Sequence, residues 1–348
     1  MTGRSLLCAC ALVVLAPSAA LAQSDNGSPF LRSEQPDRSD ANAACDKTFP
    51  SRLPVRCWIG QQFLVLPEDE SLRSYGYVSF FGGTGLVGQP TYEELAGKVV
   101  TVTDVQLTNN TAVSTTPIWI VTFKADATGR VYATRPQKQA SPMPDDATVD
   151  HLGLMRDLET SRERYLGKTY WILTNALPKL GVNGSEAITG VVEYEKFMPV
   201  TVTDVLAGYS HDNPVRIVVR NDAGQEGYFD MAASLTNRTP LSLGAVGDRA
   251  FAAQLSATDP KLGHKWPANI WAAIENDTVS IGMSEDQARM AWGEPTEIKK
   301  NVDAKHALEH WLYDKGREIS FENGIVTEIK SETGSLDVPQ KTRKSSRH

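Results

Sequence analysis

The feature that most constrains the fold of this chain is an internal repeat in its middle. The hexamer Val-Thr-Val-Thr-Asp-Val occurs at residues 100–105 and again, letter for letter, at residues 200–205. Three further blocks recur around it in the same order: 59–66 matches 166–173, 118–121 matches 215–218, and 126–132 matches 222–228. Four blocks in one order indicate that a structural unit has been duplicated.

Each repeated block has the pattern of a β-strand. In the hexamer, valines alternate with polar residues, which is the period of a half-buried strand. Glycine and aspartate turns separate the blocks, so we predict two tandem all-β repeats at residues 44–135 and 165–240. By fold analogy alone, each repeat resembles an SH3-like barrel. Residues 136–164 are predicted to form a linker followed by a helix, and residues 241–263 a second linker.

Residues 264–330 have a different, α+β pattern. Pro267 and the Ser284–Gln287 capping box mark the starts of two helices, and Gly293 with Pro295 ends the second helix. Alternating apolar residues then predict a three-stranded antiparallel meander, with Asn323-Gly324 as a type I′ hairpin turn. The whole chain is therefore expected to be multi-domain, with two β repeats and a module of two helices on a sheet.

Four motifs in this last module carry a family resemblance: Ile281-Gly282-Met283-Ser284, Trp292-Gly293-Glu294-Pro295, Trp311-Leu312-Tyr313 and Phe321-Glu322-Asn323-Gly324. In this order they resemble the SmpA/OmlA family, which includes the small outer-membrane lipoprotein of the β-barrel assembly machinery. The resemblance implies a non-catalytic module that binds protein partners in the bacterial envelope. It also implies the following partner-binding candidates: Trp292, Glu294, Trp311, Tyr313, Phe321 and Asn323. The chain has no cysteine close to this module that could carry a lipid anchor.

The first 22 residues have the pattern of a secretory signal peptide. Arg4 precedes an apolar run from Leu6 to Leu15, and Ala20-Leu21-Ala22 supplies a cleavage site. We therefore expect a periplasmic protein, associated with the outer membrane if the family resemblance holds. No later segment has the roughly 20 apolar residues that cross a bilayer. Residues 23–43 and the basic tail 331–348 are predicted to be disordered.

The cysteines bear on the redox compartment of the protein, and the net charge bears on its class of binding partner. Two of the four cysteines, Cys45 and Cys57, lie beyond the signal peptide, and in an oxidising compartment a local disulfide is their simplest state. Two unpaired thiols are the alternative. The formal net charge of −7 argues against a general nucleic-acid partner.

One motif matches a zinc-binding pattern, but the secondary structure predicted for it argues against a metal site. His306-Ala307-Leu308-Glu309-His310 matches the H-x-x-E-H pattern of inverted zinc peptidases, which requires both histidines on one helical face. Here the segment continues as a strand, in which residues four apart lie about 13 Å from each other. Asp104 and Asp204 occupy equivalent positions in the repeat, which favours a structural role at a strand end. The sequence predicts no catalytic residue, metal or cofactor.

Two hypotheses about function remain. The first is a non-enzymatic envelope protein that binds protein partners, in outer-membrane protein assembly or envelope maintenance. The second is a peptidoglycan- or glycan-binding protein that uses aromatic residues repeated in the two β units, such as Tyr132 and Tyr228.

Overall fold

A computed structural model describes the following residues: 45, 52–82, 88–108, 118–136, 147–181, 190–239, 244–302 and 307–330. The signal peptide, the leader and the basic tail predicted above lie outside the described residues. Within them the protein is mostly β-structure in antiparallel sheets, with five α-helices.

The first β unit is a six-stranded sheet in the order β2-β5-β4-β3-β1-β6. Its strands are β1 Gln62–Val65, β2 Phe80–Gly82, β3 Val99–Thr108, β4 Ile118–Ala125, β5 Val131–Thr134 and β6 Leu152–Leu154. A short helix α1, Tyr92–Leu95, precedes β3 and begins at a capping box formed by Thr91 and Glu94. The fully buried rings of Trp58, Phe63 and Phe123 belong to the core of this unit.

The predicted disulfide is confirmed. Cys45 and Cys57 are joined, with their Cα atoms 5.5 Å apart. Trp58 follows directly, and its indole nitrogen donates a 2.9 Å hydrogen bond to the Leu53 carbonyl. The disulfide therefore ties Cys45 to residues 52–58, which lead into β1 and belong in part to the first core.

The second β unit is a five-stranded sheet in the order β12-β11-β10-β7-β13. Its elements are α2 Met155–Tyr165, β7 Thr169–Ile172, β8 Ala176–Pro178, β9 Val191–Glu193, β10 Pro199–Ser210, β11 Asn213–Arg220, β12 Glu226–Met231, α3 Asp248–Ala252 and β13 Leu255–Ser256; β8 and β9 form a separate hairpin. Reading the first sheet as β5-β4-β3-β1-β6 gives the same order, strand for strand. The two units therefore share a topology as well as sequence blocks.

The repeated hexamer forms the same β-bulge in both units. The pairing of β3 with β4 shifts between Val102 and Asp104, and that of β10 with β11 shifts between Val202 and Asp204. Each aspartate then accepts a hydrogen bond from the next backbone N–H, at 2.9 Å in the first unit and 2.7 Å in the second. The aspartates are structural, but they lie at a bulge inside the strand; the predicted position at a strand end is wrong.

Both predicted linkers contribute to the sheets, which corrects their description as linkers. Residues 136–164 include the edge strand β6 as well as α2, and residues 241–263 include α3 and β13. Phe251 of α3 stacks on Tyr165 at 3.8 Å between ring centroids and belongs to the second core. Strands of two or three residues have too few positions to show an alternating pattern, so sequence periodicity could not find them.

The C-terminal module comprises α4 Ala268–Glu275, α5 Glu285–Trp292, β14 Glu297–Val302, β15 Ala307–Leu312, β16 Glu318–Glu322 and β17 Ile325–Lys330. Its sheet has four antiparallel strands in sequence order, one more than predicted. The additional strand, β14, was missed because Glu-Ile-Lys-Lys-Asn-Val shows no clear alternation. The two predicted helices are present.

Local signals in this module behave as predicted. Ser284 and Gln287 form the capping box, and Gly293 ends α5 with a φ of 79°. Asn323 and Gly324 both have positive φ, 53° and 79°, as a type I′ turn requires. A register shift after Ser320 in the pairing of β16 with β17 accompanies the burial of Val326, while Ile325 is exposed.

Candidate functional site

Three of the six predicted partner-binding residues lie in the core of the C-terminal module. Trp311 is 0% exposed, Phe321 1% and Tyr313 7%. Trp311 and Phe321 lie on the sheet face that packs in one cluster with Ala288 and Ala291 of α5. The prediction that these three side chains form a contact surface is therefore wrong. The strand pattern placed them on a common face, and the helices cover that face.

The other three predicted residues are accessible, but they do not form one patch. Trp292 is half-buried, and its indole nitrogen donates a 2.8 Å hydrogen bond to the Asp277 carbonyl. Glu294 is exposed and accepts a 3.0 Å hydrogen bond from Arg289. Asn323 lies near the Ala307 end of β15, about 16 Å along the strand from the Leu312 end, where Trp292 and Glu294 lie. There its side-chain oxygen accepts a hydrogen bond from the Ala307 N–H, so Asn323 stabilises the hairpin turn against the end of β15.

A more continuous aromatic surface lies at the start of the module, and we call it the aromatic shelf: His264, Trp266 and Trp271. The rings of His264 and Trp266 stack at 4.0 Å between centroids with a 17° angle, and Trp266 lies 4.9 Å from Trp271. All three side chains are half-buried, and both tryptophans pack with one side against the core of the module. Leu262, directly before the shelf, is 85% exposed, more than any other large apolar side chain of the described residues.

Two prolines and an extended segment position the shelf. A single 3-10 turn, Pro260–Gly263, begins at Asp259, whose carboxylate caps the Lys261 N–H at 2.9 Å. His264 is extended, so His264 and Trp266 point to the same side. Pro267 then precedes α4, which carries Trp271. The alternation His264-Lys265-Trp266 is the local sequence signal from which the shelf could be predicted.

The shelf rests on a contact between the second β unit and the C-terminal module, which we call the helix-end contact: Asn175, Lys196, Ile274, Asp277 and Ala291. Lys196 is 6% exposed, and its ammonium lies 2.6 Å from Asp277 Oδ1 and 2.9 Å from the Ala291 carbonyl oxygen. It also lies 3.5 Å from the Ile274 carbonyl oxygen. One cation thus meets carbonyls at the C-terminal ends of both α4 and α5, where the helix dipoles favour positive charge.

Asn175 and Phe197 complete the support. The Asn175 amide donates to Asp277 Oδ2 at 2.5 Å and to the Glu275 carbonyl at 3.2 Å. Phe197, the residue after Lys196, packs edge-on against Trp271 at 5.7 Å. The second β unit therefore holds Trp271, and through it the shelf, in a fixed position.

The residues of the zinc-peptidase pattern are engaged in other contacts. Ala307–Leu312 forms β15, as the strand interpretation predicted, and His306 lies outside the described residues. Glu309 accepts hydrogen bonds from Lys300 at 2.6 Å and Trp311 at 3.1 Å, and the Lys300 ammonium lowers the pKa of its carboxyl. The described residues contain no group of three or more metal-binding side chains placed to hold an ion.

The repeated tyrosines are not available to a glycan. Tyr132 is 4% exposed and stacks on Phe123 in the first core. Tyr228 is 7% exposed, and the Arg216 guanidinium lies 3.7 Å above its ring. The prediction that these repeated aromatics form a glycan surface is therefore wrong, because neighbouring side chains cover both rings.

Comparison of the chain with family models, curated proteins and solved structures returned no match. Among the described residues, no helix has the length and apolar character needed to cross a membrane. The likeness of residues 264–330 to the SmpA/OmlA family remains a prediction.

Proposed function

We propose that this chain is a non-enzymatic cell-envelope protein that binds protein partners through its C-terminal module. The observation that carries the proposal is the aromatic shelf, His264, Trp266 and Trp271, half-buried and stacked beside the exposed Leu262. Tryptophan is enriched among the residues that dominate protein–protein binding energy, because it covers a large area with few rotatable bonds.

The proposal includes the finer fold and the location. The shared strand order and bulge of the two β units support a duplicated, SH3-like unit. The positions of the four motifs in residues 281–324, with the capping box and the hairpin turn, support the SmpA/OmlA-like module. The signal peptide predicted at residues 1–22 and the disulfide favour the periplasm, with outer-membrane protein assembly or envelope maintenance as the process.

The support beneath the shelf makes it suitable for binding. A partner that docks on mobile side chains must order them, which weakens binding. Here Trp271 is packed against Phe197, and the ends of α4 and α5 are fixed by Lys196. We therefore expect a partner segment that inserts an apolar or aromatic side chain against the indole rings and buries Leu262.

Site-specific photo-crosslinking in cells tests this proposal. A photoreactive amino acid replaces the exposed Lys265, between His264 and Trp266, and a matched probe replaces the exposed Lys299 on β14 of the same module. We expect a discrete protein adduct from position 265 that is absent from position 299. Replacing Trp266 and Trp271 with alanine should abolish it, whereas replacing the half-exposed Trp171 of the second β unit should not.

The identity of the adduct separates the hypotheses. An envelope protein crosslinked at position 265 supports the proposal, and outer-membrane assembly components would identify the process. Muropeptides in place of a protein would transfer the glycan hypothesis from the buried tyrosines to the shelf. Equal crosslinking from positions 265 and 299, or adducts unaffected by loss of both tryptophans, would overturn the proposal.

A further inference from the structure

The two β units are joined by buried hydrogen bonds between neutral groups, which we call the β–β contact: Leu53, Val149, Leu152, Thr236 and Asn237. The Asn237 amide donates to the carbonyls of Val149 at 2.8 Å and Leu152 at 2.6 Å, and its oxygen accepts from the Val149 N–H at 2.7 Å. The Leu53 N–H donates to the Thr236 hydroxyl at 3.1 Å. The N–H groups of Leu53 and Val149 therefore report directly on whether this contact is closed.

Two buried carboxyl groups flank the β–β contact. Glu68, in the first unit, is 5% exposed, and Asp157, on α2, is 7% exposed. Glu68 Oε1 lies 3.4 Å from His151 Nε2, while Oε2 has no hydrogen-bond partner among the described residues. Asp157 Oδ2 accepts a 2.7 Å hydrogen bond from Ser234, two residues before Thr236. A carboxylate in such surroundings is poorly solvated, and protonation removes that cost.

Several charged or titratable groups face Glu68 and its histidine neighbour. The Arg73 guanidinium donates a 3.1 Å hydrogen bond to the Glu68 backbone carbonyl, not to its carboxyl group. The rings of Tyr77 and Phe80 enclose His151 at 5.4 Å and 6.3 Å.

The β10–β11 turn of the second unit brings further titratable groups to the same place. His211 Nδ1 lies 3.4 Å from Asp150 Oδ1, and His211 Nε2 lies 3.8 Å from Asp212 Oδ1. Asp150 favours a proton on the adjacent His151, and His211 opposes it. Among the described residues, Arg156 is the charged neighbour that lowers the pKa of the Asp157 carboxyl, and its effect is smaller than those of burial and of the Ser234 hydrogen bonds.

We propose that the β–β contact depends on proton concentration: its closed form holds protons on Glu68 and Asp157, and it closes most tightly at mildly acidic pH. When pH rises, both carboxyls must ionise inside the protein or the contact must open to solvate them. Opening breaks the hydrogen bonds of Leu53 and Val149 and gives water access to the segment that holds Asp157, because its partner Ser234 also accepts a 3.1 Å hydrogen bond from the N–H of Thr236.

The signs of the pKa shifts agree with this geometry. Burial raises the pKa of Glu68, and it raises the pKa of Asp157 to about 6. A raised carboxyl pKa stabilises the closed form below the ordinary value, and that stabilisation is lost as pH rises through the folded value. Burial lowers the pKa of His151, so its contribution is instead lost as pH falls through its folded value. The optimum therefore lies between these limits, on the acidic side of neutrality.

Amide hydrogen exchange of the full mature chain tests the inference. Exchange of the Leu53 and Val149 amides, corrected for the intrinsic effect of pH, is compared at about pH 5 and about pH 8. With a shift from 3.8 to about 6, Asp157 alone should raise the open population about tenfold across this interval. The Val326 amide, bonded to Met283 within the C-terminal module, is the internal reference and should not follow this change.

Variants assign the effect to the two carboxyls. Asp157→Asn and Glu68→Gln should each remove part of the pH dependence, and together they should leave protection at about pH 8 equal to that at about pH 5. The matched controls Glu159→Gln, exposed on α2, and Glu70→Gln, exposed near Glu68, should retain the wild-type response. A wild-type chain whose two amides show no extra opening at high pH would overturn the inference. So would single variants that keep the full response.

Discussion

The β–β contact and the helix-end contact each bury a polar side chain from the second β unit, but with different chemistry. Asn237, 2% exposed, is neutral and bonds main-chain groups of the first unit on both its donor and acceptor sides. Lys196, 6% exposed, is charged and offers only donors, to a carboxylate and to helix-end carbonyls. Replacing Asn237 leaves main-chain N–H and carbonyl groups without partners, whereas replacing Lys196 leaves a carboxylate and helix-end carbonyls without a donor.

The two contacts differ in whether the groups left without a partner after a mutation can be hydrated by solvent. Asp277, the counter-ion of Lys196, has a side chain that is 48% exposed, so it can be hydrated if the lysine is lost. The groups that bond to Asn237 are buried between two units. We therefore expect mutations in the β–β contact to lower the free energy of unfolding more than mutations in the helix-end contact.

The largest effect is expected for Asn237→Ala. It leaves one N–H and two carbonyls buried without partners, which should lower the free energy of unfolding by about 3–4 kcal/mol. Denaturant unfolding measures the change. The matched control is Asn221→Ala, which is also buried at 7% exposed but is bonded within its own turn to Gln225, with an expected loss of about 1 kcal/mol. Equal losses in the two variants would contradict the importance given to the β–β contact.

Reduction of the disulfide is expected to come next and to act on one contact only. The Cys45–Cys57 bond closes a loop with a sequence separation of 12, for which the chain-entropy estimate is about 2–3 kcal/mol. Because Leu53 lies inside this loop, its amide should exchange faster after reduction, while amides of α5 should change only with global stability. A Cys45→Ser, Cys57→Ser double variant should match the reduced wild-type chain. Preferential loss of amide-exchange protection in α5 would contradict this prediction.

Lys196→Met should have a smaller effect that is confined to the other side of the molecule. Methionine keeps the apolar stem but removes the donor to Ala291 and Asp277, with an expected loss of about 2 kcal/mol. Exchange protection should fall in α4 and α5, while Leu53 and Val149 keep their protection. The control Lys300→Met removes an ion pair whose lysine is 59% exposed and should cost under about 1 kcal/mol. Increased exchange at Val149 in the Lys196 variant would mean that the two contacts are coupled.

The sequence predicted the features that depend on neighbouring residues. The Ser284 capping box, the Asn323-Gly324 turn and the repeated strands each require only a few adjacent side chains. The edge strands β6 and β13 were not predicted, because they exist only through pairing with β1 and β7. A segment of two or three residues has no pattern of its own from which such pairing could be read.

The candidate surface was harder to predict, for a related reason. Periodicity showed which of Trp311, Tyr313 and Phe321 share a face, but the packing of the helices decides whether that face is buried. Lys196 lies 78 to 95 residues from the groups it contacts in the helix-end contact, so no local signal identified it. The aromatic shelf depends on that contact for its position, so no local pattern shows the shelf as a whole.

The smallest effect on stability, with the largest expected effect on binding, is predicted for Trp266→Ala. The indole is half-buried and packs against the core of the module, so its removal should lower the free energy of unfolding by about 1–2 kcal/mol, less than the loss of a fully buried tryptophan. Crosslinking from position 265 should nevertheless fall sharply, because the His264–Trp266 stack is lost. The control Trp58→Ala truncates a fully buried indole and should cost about 3–5 kcal/mol.

The two tryptophans thus separate stability from recognition. If Trp266→Ala destabilised the chain as much as Trp58→Ala, the shelf would be part of the core and not a contact surface. If Trp266→Ala left both stability and crosslinking unchanged, partner binding would have to lie elsewhere on the module. Trp292 would then be the next residue to replace, since it is the predicted tryptophan that remains accessible. Its hydrogen bond to the Asp277 carbonyl links it to the same helix-end contact, so Lys196→Met should weaken binding at either position.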